Sequence, residues 1–429
     1  MQPTLPTINF ATKKMKKSLL LLTLILAGTI ADAQDISYGE YMKRVLENNI
    51  ALTAKRMDIE IADASVKGSK VYNDPTLALT YSNNEDWNTG MGQGIELELS
   101  RTFTFGVRRS RIDLADSERT QAVALLEEYM RNFRADATIA YLEHLRAKML
   151  LEEAAGIYND LSEVAANDSL RFVRGDIAES DWLESRMAQG VAKNAMLTAE
   201  AERNNSAIKL GYYMGNIENA DALNGTGTLE ITEQAATVGY YTEAAMTHRA
   251  DLVVALGKAD IAVASQKFNK ALRRPELGVT LGATYNIAEP DFTTIKAGVA
   301  VPLKFSNLNK GARLQDELLV RQANIEIDEA RLVVAAEVMQ AYNNFIYATR
   351  QSETFSGAML NDMQQVVESK RKAYEMGEIA FLDYLIVQRN ESEMRQQYID
   401  ALFGKAVAWV ELQRATGFDM TFSAATIAE

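Results

Sequence analysis

From Val107 to Arg174 the chain has no proline and a single glycine, Gly156, and its apolar residues return at helical spacing, as at Ile112, Ala115, Ala122, Leu126, Tyr129 and Phe133. Such a run predicts one helix on the order of 100 Å long at 1.5 Å per residue, far beyond what a globular domain uses. The run from Ala312 to Met376 predicts a second helix of the same length. A returning segment from Ile379 to Arg414 carries Met394, Tyr398, Leu402, Ala406, Trp409 and Leu412 in a similar stripe, so long antiparallel helix pairs follow. Proline is excluded from helix interiors, and beyond residue 33 it occurs only at Pro75, Pro275, Pro290 and Pro302.

The chain is also duplicated. Gly175-Asp176-Ile177-Ala178-Glu179-Ser180-Asp181-Trp182-Leu183 matches Gly377-Glu378-Ile379-Ala380-Phe381-Leu382-Asp383-Tyr384-Leu385 at an offset of 202 residues, which also carries Gly215 onto Gly417. Near-identical offsets carry Tyr141 onto Tyr342, Gly156 onto Gly357, and Pro75-x-Leu77 onto Pro275-x-Leu277. Two copies of one long unit account for most of the chain.

Around the prolines the period changes from helical to two. Leu277, Val279, Leu281, Ala283, Tyr285 and Ile287 alternate with Gly278, Thr280, Gly282, Thr284 and Asn286. Ile295, Ala297, Val299, Val301 and Leu303 then share one face, with Thr294, Lys296, Gly298 and Lys304 on the other. In the first unit Ile95, Leu97 and Leu99 alternate with Glu96, Glu98 and Ser100, after a weaker strand from Thr76 to Ser82 and a polar loop from Asn83 to Gln93. Strands of about 9 to 11 residues with one apolar and one polar face fit a transmembrane barrel, lipid outside and water inside. Glu96, Glu98, Lys296 and Lys304 then face the lumen, while Tyr81, Trp87 and Tyr285 sit where an interfacial aromatic belt lies. Four strands leave open edges that hydrocarbon does not tolerate, so closure requires several copies, and three copies give twelve strands. A soluble two-hairpin sheet is the plain alternative, but it is marginal on its own and an odd companion for such helices.

Lys13, Lys14, Lys16 and Lys17 precede the apolar run Leu19 to Ala27 and the small-x-small site Ala31-Asp32-Ala33, which reads as a secretory leader over 1–33 with Gln34 as the first mature residue. Translation from Met1 or Met15 serves this leader equally. Its loss removes four lysines and one aspartate, taking the formal net charge from -13 to about -16. An acidic exported chain is no nucleic-acid binder and suits a cation-tolerant interior. Without cysteine it has no disulfide and no thiol for an N-terminal lipid anchor. Beyond the leader, no stretch has the roughly 18 to 20 consecutive apolar residues of a spanning helix, so any crossing is by strands.

These residues together resemble the outer-membrane efflux proteins typified by TolC, over roughly Ile36 to Phe418. The most specific carrier is the twice-repeated Gly-[Asp/Glu]-Ile-x-x-x-Asp-[Trp/Tyr]-Leu, with an aromatic three residues before each glycine, Phe172 and Tyr374. The resemblance implies a mainly α chain with a transmembrane β part. Each unit is helix-strand-strand-helix, giving a long periplasmic helical barrel and a 12-strand barrel shared by a homotrimer. It divides the chain into 1–33, a first repeat 34–215 (strands about 75–82 and 94–105, tip near 175), an equatorial segment 216–247, a second repeat 248–418 (strands about 276–287 and 293–304, tip near 377), and a tail 419–429. The tips are where such channels meet a periplasmic adaptor, through Gly175, Asp176, Ile177, Leu183, Gly377, Glu378, Ile379 and Leu385. Asp383 matches an inward acidic ring, and Asp181 and Tyr374 match positions linking neighbouring tip helices, with the Tyr374 hydroxyl able to donate to Asp181. Ile379 and Ile386 stand where some relatives have further polar gate residues. The implied role is a passive exit duct for small molecules or metal cations, working with an adaptor and an inner-membrane RND or ABC transporter.

In plainer terms, the glycines serve an ordinary helical hairpin, Asp181 and Asp383 stabilise helix starts, and the charged strand residues solvate a sheet face. Motifs for chemistry are missing from the sequence: it has no Gly-x-x-x-x-Gly-Lys loop and no His-Glu-x-x-His, and its only histidines are His144 and His248. Met359 and Met363 share a helix face, which core packing explains more readily than a thioether metal site. No enzyme activity and no cofactor are expected. The competing functions are an outlet for type I protein secretion and, in another class, a non-channel periplasmic coiled-coil scaffold.

Overall fold

A computed structural model describes residues 34–83, 93–231, 235–287, 293–303, 309–355 and 357–418. The expected leader, Trp87, Pro290, Lys304 and the tail 419–429 lie outside the described residues.

The duplication is visible element by element. The first unit runs through α1 (Tyr38–Asn48), α2 (Ile50–Ser69), β2 (Thr76–Ser82), β3 (Gly94–Thr104), α3 (Val107–Arg174) and α4 (Glu179–Tyr213). The second runs through α5 (Val238–His248), α6 (Ala250–Leu272), β5 (Glu276–Asn286), β6 (Thr293–Ala300), α7 (Lys310–Thr354), α8 (Gly357–Glu375) and α9 (Phe381–Thr416). Two short strands, β1 (Gln34–Ile36) and β4 (Leu223–Gly225), pair in parallel at the junction between the units. Neither β1 nor β4 carries an alternating pattern long enough to read from sequence.

Each unit starts the same way. Ser37 caps α1 by accepting from the Glu40 amide, and Thr237 caps α5 by accepting from the Tyr240 amide. Between the short and the longer helix, the Asn49 side chain donates to the Tyr213 carbonyl at 2.9 Å, and Arg249 donates to the Ala415 carbonyl at 3.1 Å. Both carbonyls precede by two residues the left-handed glycines Gly215 and Gly417, each at φ 76°. The Arg249 guanidinium is buried and also bonds Asp251 and, at 2.5 Å, Glu337, so its charge is met on both sides.

α3 is one uninterrupted helix of 68 residues, about 100 Å at 1.5 Å each. The second long run breaks, contrary to expectation: α7 ends at Thr354, Phe355 leaves the helical region at φ -87°, ψ 75°, and α8 starts at Gly357. Two hydroxyls bond backbone carbonyls in the last turn before the interruption. Ser352 Oγ donates to Thr349 O at 2.8 Å and Thr354 Oγ to Gln351 O at 2.5 Å, just before a glycine with poor helix propensity. Gly156, at the matching place in α3, has no such neighbours and the helix passes through it.

The four long strands form one antiparallel sheet in the order β2-β3-β5-β6, so the two units meet at the β3–β5 pair and the edges are β2 and β6. Register places Leu79, Leu97, Ala283 and Ile295 in one cross-sheet row, and Leu77, Leu99, Leu281 and Ala297 in the next. This apolar face is uncovered, with Leu79 73% and Ile295 83% exposed. The main core lies instead midway along the helices, where Tyr41, Tyr141, Leu210, Val338, Phe345 and Leu412 are buried together.

Candidate functional site

Both tip turns are built alike, and their glycines are required. Gly175 (φ 81°) and Gly377 (φ 77°) adopt the left-handed conformation, and each ends its helix with paired bonds. Gly175 N donates to Phe172 O and Asp176 N to Arg171 O, both at 2.9 Å; Gly377 N donates to Tyr374 O and Glu378 N to Ala373 O, also both at 2.9 Å. Ala178 and Ala380 are then extended, and α4 and α9 begin, with Asp181 and Asp383 in their first turns, where an acidic side chain favours the helix start.

The repeated aromatics form a matched pair at each tip. Phe172 stacks on Trp182 at 4.9 Å between centroids, and Tyr374 stacks on Tyr384 at 6.1 Å. At the second tip Phe381 joins the cluster, with Leu161, Val164 and Ala192 beneath it. Ile379 and Leu385 pack against this cluster, as a packed turn requires. Leu183 does not: it is 42% exposed, in line with Met187 (70%) and Val191 (71%) along one outer face of α4. That stripe borders a groove of about 550 Å³ between α3, α4 and α9, lined on the far side by Leu382 and Leu385.

The Tyr374 hydroxyl donates to Asp168 Oδ2 at 2.7 Å and not to Asp181. Asp168 is 1% exposed and lies on the buried stripe of α3 below Leu161 and Val164, facing α8. Asp181 sits on the first turn of α4 and reaches Tyr374 only through its charge. Arg171 completes the arrangement: its Nη1 lies 3.6 Å from Asp168 and its guanidinium 5.3 Å over the Tyr374 ring. Burial, then the bond to Asp168, raise the Tyr374 hydroxyl well above its ordinary range, so it remains a donor at any physiological pH. Burial also pushes the Tyr384 hydroxyl up to about 12. Nearby, Arg371 bonds Glu163 at 2.6 Å and Glu375 at 3.2 Å, a second tie from α8 to α3. Asp168 was legible in principle as the one acid on a stripe that otherwise buries Leu161, Val164 and Ala165. Asp383, Asp176 and Glu378 are exposed.

On the sheet, Glu96, Glu98 and Lys296 occupy the face opposite the leucines, together with Ser100, Thr280 and Thr294. Lys296 pairs with Gly282, which has no side chain, so its ammonium reaches across to Glu96 Oε1 at 2.9 Å.

Residues 242–418 match the family model of the outer membrane efflux protein. Over 383 residues the chain is 24% identical to the cobalt-zinc-cadmium resistance protein CzcC of Cupriavidus metallidurans, covering 86% of this chain and 87% of the relative. The fold of this chain is shared with CusC, which aligns with TM-score 0.70 at 15% identity (88% of this chain, 91% of the other). The outer membrane protein VceC of Vibrio cholerae aligns with TM-score 0.72 at 14% identity (89% and 96%). A membrane protein of Pseudomonas aeruginosa aligns with TM-score 0.73 at 18% identity (88% and 89%).

Proposed function

We propose that the chain is one protomer of a trimeric outer-membrane channel, the passive exit duct of a tripartite efflux system. The observation that carries this reading is the four-stranded sheet: an uncovered leucine-rich face, an opposite face of Glu96, Glu98 and Lys296, and two edges that only further copies can pair. Among the described residues no helix is long and apolar enough to cross a membrane. Three sheets close twelve strands, and three sets of long helices continue the lumen below them. The leader over 1–33 supplies export.

The helical tips are the docking and gating end. Gly175, Asp176, Ile177, Leu183, Gly377, Glu378, Ile379 and Leu385 present the turns to a periplasmic adaptor, which couples the duct to an energised inner-membrane transporter of the RND or ABC class. Three copies of Asp383 around one axis form a cation-favouring ring, and the bond from Tyr374 to Asp168 holds α8 against α3 at the tip. The cargo is small solutes, with divalent metal cations favoured by the likeness to a cobalt-zinc-cadmium resistance protein. The test is removal of the gene followed by measurement of cellular cobalt, zinc and cadmium under metal challenge. Metal content is expected to rise and to fall again when the chain is restored. Unchanged metal content together with unchanged tolerance of organic toxins contradicts an efflux role.

A further inference from the structure

The charge of this chain is unevenly placed. Lys and Arg number 45 against 58 Asp and Glu overall, yet the four segments at the helix side of the sheet, 67–75, 101–113, 267–276 and 309–317, contain 12 Lys and Arg against 5 Asp and Glu. Part of this charge is used internally. Arg108 donates to Lys70 O at 2.8 Å and lies 4.3 Å over the Tyr72 ring, Arg111 donates to Ser69 O at 3.0 Å, and Arg273 bonds Asp316 at 2.6 Å. These contacts fasten the helix ends beneath the strands. Arg109, Lys67, Lys267, Lys270, Lys310 and Arg313 are left exposed. The neighbouring apolar groups are exposed too: Tyr72 is 64%, Phe105 56% and Phe103 44% accessible.

Arg101 connects this band to the sheet. It lies on the same face as Leu97 and Leu99, opposite Val279, and it is the last outward position before Phe103. Its guanidinium sits 5.3 Å over the Phe103 ring, toward the helix side, as an arginine does when its stem lies in hydrocarbon and its head reaches the interface.

We propose that this band is a collar that binds the phosphate headgroups of anionic phospholipids in the leaflet next to the helices. The inference rests on the reading of the sheet as membrane-spanning and goes beyond it by naming the lipid chemistry and the residues. A lipid surface is the one partner that presents both hydrocarbon to the leucine face and, directly adjacent, a plane of negative charge to the cations. Clustered Lys and Arg immediately outside a spanning segment gain from such a surface, residue by residue. Aromatic side chains at the same level are suited to the same boundary.

The test uses the full chain in nanodiscs of equal parts phosphatidylglycerol and phosphatidylcholine with matched acyl chains. Lipids retained after mild release are counted by native mass spectrometry. The unaltered chain is expected to retain phosphatidylglycerol over phosphatidylcholine by roughly tenfold, an excess that shrinks with added salt. The combined substitutions Arg109→Gln, Lys267→Gln, Lys270→Gln and Arg313→Gln abolish the excess. Removing four cations elsewhere, by Arg174→Gln, Lys193→Gln, Arg331→Gln and Lys372→Gln, preserves it. Equal retention of the two lipids by the unaltered chain, or an excess that survives the collar substitutions, overturns the collar alone. A chain that enters neither this bilayer nor one of pure phosphatidylcholine overturns the membrane reading and the collar with it.

Discussion

Tyr374, in the second repeat, donates its hydroxyl to the buried carboxylate of Asp168, in the first, at 2.7 Å. The bond ties α8 to α3 across the duplication, close to the turn that ends α8. α8 is separated from α7 by the interruption at Phe355, so its tip end is positioned by side chains and not by a continuous helix. Between the interruption and the tie lies a polar cavity of about 830 Å³ against Asp160, Gln365 and Arg395.

Loss of this bond is expected to loosen the tip. Tyr374→Phe leaves Asp168 with only Arg171 as a charged neighbour, at a cost of about 1–3 kcal/mol. Resting conductance in a lipid bilayer is expected to rise in this variant and further with Asp168→Asn. Unchanged conductance in both leaves the bond a packing feature only.

The tip glycines are expected to be intolerant for a backbone reason. At φ 81° and 77°, valine at Gly175 or Gly377 costs roughly 1–2 kcal/mol. Export is expected to fall while insertion into the outer membrane is kept, because the strain is confined to the turn. Gly156 is the control: nothing lies within 4 Å of a Cβ added there, so Gly156→Ala gains about 0.5–1 kcal/mol, read as a higher thermal midpoint.

A pH dependence follows from His144. It is buried, it accepts from the Gly225 amide at 3.1 Å, and its other ring nitrogen lies 2.9 Å from Ser206 Oγ. Burial, then Arg203 and Lys148, bring its pKa down from 6.5 to about 4. The neutral ring is the folded form, so its contribution is complete above pH 6.5, declines as pH falls from there, and is lost below about 4. The loss is on the order of 3 kcal/mol. Denaturant midpoints measured across this range are expected to fall less steeply for His144→Gln than for the unaltered chain.

The open edges at β2 and β6 require partners, so the particle in mild detergent is expected to have the mass of three chains. A monodisperse single chain that retains its strands contradicts the assembly.

Much of this was legible in the sequence because long elements have strong periods. α3 runs over the residues expected, and the leucine rows of the sheet follow the period-two pattern from Leu277 onward. The break between α7 and α8 was hidden because Gly357, where α8 starts, has its counterpart in Gly156, which lies inside an unbroken helix, so the glycine does not mark the break. Asp168 was missed for a related reason. The recurring motif drew attention to the residues around the glycines, whereas the partner of Tyr374 lies two turns earlier on a stripe that is otherwise apolar.

The central claim, that the chain forms a water-filled path, is tested most directly by recording from the purified protein in a planar lipid bilayer. Discrete current steps are expected, with a preference for cations that drops in Asp383→Ala. A protein that inserts, keeps its strands and passes no current contradicts the account.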